Sequence, residues 1–359
     1  MREIPKLRNM ILPAGLIIAI FILQWGRSNQ QVPYWRYEGA ALGTTYTVQI
    51  IHPERIPDAV ITQTIESVNA SMSTYIPDSE LNRLSAHPQA SPFPLSPMLA
   101  EVLRAAKSVS EQSRGAFDVT VAPLVNAWGF GPEGRRTTPS PDLIQTLREE
   151  CGDALWRIDA AGVTKVKDQV KFDLSAIAKG YAVDEVARQL SKQGIKRYWV
   201  EIGGEVSVLG LNREGQPWKV GIERPAGEDQ RRILKVISLR DTTIATSGDY
   251  RNRYLDDQGV MRSHTIDPRT GFPIKHNLAS VSVLHPQNMY ADAWATALNV
   301  LGAEAGLEVA NKYNLAVIFV HREGQVASSL TPDTEKTRYK LVMSLAMKKY
   351  MEGADSRAH

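Results

Sequence analysis

The chain has 359 residues and a formal net charge of +3, from 42 Lys and Arg against 39 Asp and Glu. Because this charge is small and both signs alternate along the chain, the composition predicts no nucleic-acid partner. The single cysteine, Cys151, excludes an internal disulfide and a cysteine metal cluster. With 43% hydrophobic residues, the chain can bury the core of one large domain or of two ordinary ones.

The N-terminal segment, residues 1–30, has the pattern of a membrane signal. Arg2, Lys6 and Arg8 precede an apolar run from Met10 to Trp25. A basic flank before an apolar run is typical of an export signal or signal-anchor. No small-residue cleavage site or lipid-accepting cysteine follows, so we predict an uncleaved anchor, with a cleaved signal as the alternative, although the run is shorter than the roughly 20 residues of most spanning helices. The rest of the chain would then lie on the periplasmic side of the inner membrane.

Periodicity predicts the elements that follow. Strands are expected at 44–51, 154–159, 168–173, 196–202, 205–211, 217–222, 233–238, 280–285 and 315–321. Helices are expected at 57–72, 98–113, 141–150, 175–193, 289–301 and 303–312. A further short helix is expected directly after Asp78, which would cap it. A linker at 28–37, a long irregular loop at 115–140 and a charged, frayed tail at 331–359 complete the prediction. The mixed order favours an α+β fold with mixed or antiparallel sheets and packed helices, in one large domain at 31–330.

Asp292 and Thr296 stand four residues apart on a predicted helix, so both side chains face the same way. A carboxylate and a hydroxyl are hard oxygen ligands, suited to Mg²⁺ or Ca²⁺ rather than to Zn²⁺. The alternative is a solvent-facing aspartate beside an ordinary helical threonine. Spacing alone does not decide between the two interpretations.

A second segment combines Asp173, small residues and Lys179, with a helix predicted to start near Ser175. The free N–H groups of a helix start and a nearby ammonium together suit a phosphate. A capped helix with one solvated lysine explains the same residues. The adjacent glycines Gly203 and Gly204 indicate a bulge or a close backbone approach, or simply a turn.

His264 lies just before a segment rich in turn residues, and it could serve as a general base near neutral pH. A structural histidine is the alternative. Phe117 and Asp118 lie near the start of the predicted loop at 115–140, and the aromatic residues of that loop could cover a flat ring system, although Trp128 could equally belong to the core.

Taken jointly, these segments make the chain resemble the ApbE family of FAD:protein FMN transferases over roughly residues 36–325. The matching segments, in chain order, are Gly43–Tyr46, Met72–Tyr75 with Ser79 and Glu80, Gly115–Val125, Asp173–Asp184, Gly203–Glu205, Ser247–Tyr250, His264–Gly271 and Asp292–Thr296. Several motifs in family order are far more specific than any one of them.

The resemblance implies a transferase that moves FMN from FAD onto a threonine hydroxyl of a membrane redox protein and releases AMP. It implies that the FAD site contains Leu42, Tyr75, Ala116, Phe117, Asp118, Lys179 and Ile266. It also implies a Mg²⁺ site made of Asp292, Thr296 and the backbone carbonyl of Ala176. On this basis we assign the proton of the incoming threonine to His264. Many members of the family are lipoproteins, whereas this chain lacks the lipid-accepting cysteine.

Two other functions remain open at this stage. A metal-dependent FAD pyrophosphatase would use the same pocket, with water in place of the threonine hydroxyl. A non-catalytic flavin-binding module would keep the FAD contacts but would tolerate the loss of Asp292, Thr296 and His264, all of which are present here.

Overall fold

The computed structural model describes residues 32–132, 134, 138–224, 232–248, 253–256, 260–323 and 337–355. An eight-stranded sheet forms its centre, in the spatial order β1-β2-β5-β6-β9-β14-β15-β16, and every pairing is antiparallel. The strands of this sheet are β1 Tyr34–Ala41, β2 Thr44–Ile51, β5 Tyr198–Ile202, β6 Glu205–Leu209, β9 Thr242–Gly248, β14 Leu278–His285, β15 Ala316–Glu323 and β16 Arg338–Met343. The predicted α+β class is therefore confirmed, with an antiparallel sheet.

Four two-stranded hairpins supplement the central sheet within the described residues. They are β3 Trp156–Asp159 with β4 Gly162–Lys165, β7 Trp218–Glu223 with β8 Ile233–Leu239, β10 Arg253–Leu255 with β11 Met261–Ser263, and β12 Ile266–Asp267 with β13 Phe272–Pro273. The described helices are α1 Ala59–Met72, α2 Glu80–Ala86, α3 Pro97–Gln112, α4 Ala122–Ala127, α5 Pro141–Arg148, α6 Ala178–Lys192, α7 Asn288–Leu301, α8 Ala303–Lys312 and α9 Leu345–Asp355.

Both faces of the central sheet are buried, which explains the continuous apolar run Ala316–Val320 in β15. Val317 and Phe319 point into a core shared with the helices, including α6 and α7. Ile318 and Val320 point the other way, into a second core formed with hairpin β7–β8 and α9. Successive side chains of a strand alternate between faces, so a strand covered on both sides has apolar residues throughout.

One end of the sheet is shaped by two tight turns that lie side by side. Leu42 and Gly43, with φ of 50° and 76°, connect β1 to β2. Gly203 and Gly204, with φ of 60° and 102°, connect β5 to β6. Two-residue hairpin turns with positive φ suit the twist of the strands they join. The Gly203 N–H donates to the Thr45 carbonyl at 3.0 Å, which ties the two turns together.

Helix α6 packs on α7 at unusually close range. A Cβ atom at Gly180 would lie 2.5 Å from the carbonyl oxygen of Asn288, so glycine is required for this approach. The Asp184 carboxylate accepts the backbone N–H groups of Asn288 and Met289 at 2.7 and 2.9 Å. These bonds satisfy donors at the start of α7 that have no partner inside that helix. The two helices that carry the main sequence motifs are therefore held in one fixed arrangement.

Serine caps set the start of several helices. The Oγ atoms of Ser79, Ser96 and Ser140 accept backbone N–H groups at 3.1, 3.2 and 3.2 Å. A serine at this position supplies an acceptor that the first helical turn lacks. The predicted cap at Asp78 is therefore wrong, because the neighbouring serine takes that role.

Several predicted boundaries differ from the structure. The predicted irregular loop at 115–140 contains the short helix α4. The predicted strand at 168–173 is absent, because β3 pairs with β4, which lies earlier in the chain. The predicted linker contains the start of β1. Instead of a frayed tail after residue 331, the described residues include β16, which pairs with β15, and helix α9.

The predicted membrane anchor at residues 1–30 lies outside the described residues. Among the helices that the structure describes, none has both the length and the apolar character needed to cross a bilayer.

Candidate functional site

A cavity of about 900 Å³ opens at the end of the sheet that carries the two tight turns. This volume is typical of small-molecule sites. Its lining includes all eleven residues predicted for the site: Leu42, Tyr75, Ala116, Phe117, Asp118, Ala176, Lys179, His264, Ile266, Asp292 and Thr296. The structure thus brings together residues that lie up to 254 positions apart in the chain, while their individual roles remain predictions.

Asp292 is buried at the contact between α6 and α7, with 3% of its surface exposed. Its Oδ2 atom accepts the backbone N–H of Gly180 at 3.0 Å. Gly180 lies in the first turn of α6, where backbone N–H groups lack partners within the helix. The sequence predicted that N–H groups at the start of this helix would bind a phosphate, but the Gly180 N–H donates to the Asp292 carboxylate instead. Helix α6 also begins at Ala178, later than the predicted start near Ser175.

Lys179 lies between two carboxylates. Its Nζ atom is 3.2 Å from Oε1 of Glu205 and 3.7 Å from Oδ2 of Asp292. Burial works to lower the pKa of Lys179, but the charges of Asp292 and Glu205 outweigh it and raise that pKa above its ordinary value. The lysine therefore remains charged, and two acidic partners within the protein already share that charge.

Glu205 belongs to a segment that matches the family, Gly203–Glu205, but sequence reasoning gave it no role in the site. It is 3% exposed, lines the cavity, and begins β6 directly after the second tight turn. Burial raises the pKa of Glu205 above its ordinary value; the Lys179 ammonium opposes this rise and the Asp292 charge adds to it. Its Oε2 atom is buried without a hydrogen-bond partner among the described residues. The signal available in the sequence was an acidic residue placed directly after two glycines at the start of an otherwise apolar strand.

The wall formed by Ala116, Phe117 and Asp118 is held from behind by hydrogen bonds. The Phe117 N–H donates to Ser113 Oγ at 3.1 Å. The N–H and Oγ1 of Thr120 donate to Asp118 Oδ1 at 2.7 and 2.6 Å. Burial raises the pKa of Asp118 although these hydrogen bonds oppose the shift. Tyr75 differs from this rigid wall, because 69% of its surface is exposed at the cavity.

His264 is half-buried between β11 and β12 and lines the cavity. Its ring meets the Phe130 ring edge to face, with centroids 6.3 Å apart. The turn that follows is anchored, since the Trp128 indole N–H donates to the Gly271 carbonyl at 2.8 Å. Trp128 is 1% exposed and does not line the cavity, so it belongs to the core rather than to a cover for a flat ring.

The acidic residues alone do not form a metal centre. No group of three or more His, Cys, Asp or Glu side chains in the described part of the chain could hold a metal ion. The candidate donors are the Asp292 carboxylate, the Thr296 hydroxyl and the Ala176 carbonyl, which line one cavity. Such a mixed oxygen set suits Mg²⁺, which usually takes few protein ligands and completes its shell with water and substrate phosphates. The residues present therefore fit this cation.

Comparisons with known proteins agree with this geometry. The model of the ApbE family matches residues 42–319. An FAD:protein FMN transferase of Vibrio cholerae is 43% identical over 288 residues, 79% of this chain and 86% of that protein. One of Haemophilus influenzae is 40% identical over 326 residues, 86% and 92% of the two chains.

Two solved structures share the fold. The flavin transferase ApbE from Vibrio cholerae superposes with a TM-score of 0.78 and 38% identity, over 88% of this chain and 99% of that one. The apo form of the Pseudomonas stutzeri flavinyl transferase ApbE superposes with a TM-score of 0.77 and 35% identity, over 89% and 97%. The similarity thus extends over nearly the whole of each solved chain.

Proposed function

Because the chain belongs to the ApbE family, we propose that it transfers FMN from FAD to a hydroxyl group of an acceptor protein. The observation that carries this function is that a fixed carboxylate, an ammonium, a hydroxyl and a histidine line the same cavity. Transfer requires that an FMN-side phosphorus, a proton acceptor and the incoming hydroxyl meet at one place.

FAD would occupy the cavity with its flavin near Phe117 and the exposed ring of Tyr75. Leu42, Ala116, Asp118 and Ile266 would complete the surrounding wall, since all of them line the same cavity. The hydrogen bonds behind Phe117 and Asp118 support this proposal, because a rigid wall loses little conformational entropy when a ligand binds.

Asp292, Thr296 and the carbonyl of Ala176 would hold Mg²⁺ beside the phosphates. When bound, the cation would offset the negative charge that grows on the phosphate oxygens and would align them. The Gly180 N–H fixes the Asp292 carboxylate before any ligand arrives. The chain itself therefore supplies a preorganised anionic group, which is the costly part of a cation site to assemble.

His264 would accept the proton of the attacking threonine hydroxyl. A histidine is suited to this task because its ordinary pKa lies near neutrality. Its position at the cavity, next to an anchored turn, supports the role. Replacing His264 by Ala should lower kcat about 100-fold, because a general base contributes at least that factor. The dissociation constant for FAD, measured by flavin fluorescence, should change little.

The acceptor would be a membrane redox protein that presents a threonine, and the enzyme would work on the periplasmic side of the inner membrane. The predicted N-terminal anchor supports this location, since it would hold the cavity near membrane-bound acceptors. Fusing the N-terminal segment to a reporter that is active only outside the cytoplasm tests the orientation. A fusion protein that is made in normal amount but has no reporter activity would contradict it.

The decisive experiment mixes the purified protein with FAD, MgCl₂ and a candidate acceptor. We expect flavin fluorescence on the denatured acceptor band and AMP in equal amount. An acceptor whose target threonine is replaced by valine is the matched control. AMP release without labelling of any acceptor would favour the FAD pyrophosphatase instead, because water would then have taken the place of the hydroxyl.

A further inference from the structure

Glu205 has an arrangement that the proposed reaction does not explain. Its carboxylate is buried, and one oxygen contacts Lys179 while the other has no hydrogen-bond partner among the described residues. Buried charges are costly unless they are paired. The ammonium of Lys179 is therefore the group that satisfies Glu205, and the two are expected to stay together.

The path of the Lys179 side chain supports this pairing. The stem of Lys179 passes over the tight turn before Glu205, where a Cβ at Gly203 would lie 3.4 Å from Lys179 Cδ and 2.7 Å from Thr44 Cγ2. The stem therefore runs alongside the turn, and the ammonium reaches the first residue of the strand that follows.

Asp292 competes with Glu205 for the same ammonium. The Lys179 Nζ atom is within hydrogen-bond distance of Glu205 but 3.7 Å from Asp292, which is an ion-pair distance only. If Glu205 lost its charge, Asp292 would become the ammonium's nearest carboxylate. A lysine drawn onto Asp292 would oppose any other cation there, both by occupying the carboxylate and by repulsion between like charges.

We propose that Glu205 is a positioning residue that holds the Lys179 ammonium away from Asp292 and so keeps Asp292 available to a divalent cation. This inference rests on the metal site proposed above. It assigns Glu205 neither as a metal ligand nor as a group that touches the reacting atoms. Its effect on the cation passes through Lys179, and this sets it apart from a direct or a purely structural role.

The first test measures Mn²⁺ binding to the full chain, with free Mn²⁺ followed by electron paramagnetic resonance. Mn²⁺ is the probe because it accepts the same hard oxygen donors as Mg²⁺. Glu205→Gln should raise the Mn²⁺ dissociation constant about tenfold, a coupling typical of charged groups in one network. Glu304→Gln, which changes an exposed carboxylate outside the cavity lining, should leave that constant unchanged.

The second test repeats the substitution without the lysine. Lys179→Met should bind Mn²⁺ more tightly than the wild type, because the competing cation is gone. In that background Glu205→Gln should change the dissociation constant by less than about threefold. The same factor in both backgrounds would overturn the proposal, since Glu205 would then act on the cation directly or through the fold.

A third variant separates failure of this inference from failure of the metal site. Asp292→Ala should remove Mn²⁺ binding in every background, with circular dichroism confirming that the variants are folded. If the wild type binds Mn²⁺ no better than Asp292→Ala, both the metal site and the role of Glu205 are wrong. If the wild type binds well but Glu205 and Lys179 show no coupling, only the role of Glu205 is wrong.

Discussion

The two faces of the central sheet are covered differently, and the paired charges of the candidate site, Lys179, Glu205 and Asp292, lie on one of them. Helices α6 and α7 cover the first face and place Lys179 and Asp292 beside Glu205. Hairpin β7–β8 and helix α9 cover the second face around an apolar cluster that includes Ile237 and Leu239. The paired charges thus lie on the first face, where the start of α6 meets the start of β6. The second face stabilises the fold mainly by burying apolar side chains.

Substitution of Asp292 should show the largest effect on the first face. Asp292→Ala should lower the rate of FMN transfer at least 100-fold, because removing one preorganised electrostatic group from a site costs about that much. The thermal midpoint of unfolding should fall by a few degrees, because the buried Gly180 N–H loses its acceptor. Asp142→Ala, an exposed carboxylate on α5, is the control and should retain full activity. If the Asp292 variant retained the wild-type rate of FMN transfer, the proposed role of Asp292 in the reaction would be wrong.

Substitution of Ile237, on the second face, should lower stability and leave the transfer rate almost unchanged. Ile237 is fully buried, so Ile237→Ala should lower the free energy of unfolding by about 2–5 kcal/mol, measured by urea denaturation. At a temperature where the variant is folded, its transfer rate should stay within about twofold of the wild type. A folded but inactive variant would show that the second face also shapes the site, through Val220 to Glu223, which line the cavity.

The pH dependence of stability sharpens the contrast further. Because burial raises the pKa of Glu205 in the folded protein, there is a pH range above the ordinary value of 4.5 in which the native state still holds a proton that the unfolded state has lost. This contribution to stability is present below the ordinary pKa and is lost as the pH rises through the raised pKa. The slope is at most about 1.4 kcal/mol per pH unit for one proton. Denaturation in the presence of EDTA should show the decline in the wild type and a flatter profile in Glu205→Gln.

Cys151 should give the smallest effect, because it belongs to neither face. Its thiol donates to the Leu147 carbonyl at 3.3 Å, and burial raises its pKa to about 12. Only the thiolate reacts readily with disulfide reagents. Labelling with Ellman's reagent at mildly alkaline pH should therefore be slow in the folded protein and fast in denaturant. Rapid labelling under native conditions would contradict the burial of this thiol.

Much of the fold could be predicted where the pattern of one segment decides its structure. The strands β2 and β14 and the helices α1 and α7 were predicted within two residues of their observed bounds. The strand β9 was missed, because a run of threonine, alanine, serine and glycine has no clear alternation. The last strand was missed because its charged residues resemble a tail, and only its pairing with β15 makes it a strand.

The site was predictable to a similar extent and for a similar reason. The predicted site residues all line one cavity, while their roles stay predictions. Glu205 was recognised only as part of a matching segment, because its role depends on the distance to Lys179, and no spacing in the sequence encodes that distance. The partner of the Gly180 N–H was missed, since it lies 112 positions away on another helix.

The missing side chain at position 180 has a consequence for redesign of this enzyme. A methyl group there would collide with the α7 backbone, so alanine would wedge the two helices apart and move the carboxylate that α7 carries relative to the α6 backbone. Substitutions that enlarge the cavity would therefore be tolerated better in the β7–β8 hairpin, where Val220 to Glu223 line it, than at the contact between α6 and α7. The absence of a side chain at Gly180 therefore keeps Asp292 within hydrogen-bond distance of the α6 backbone.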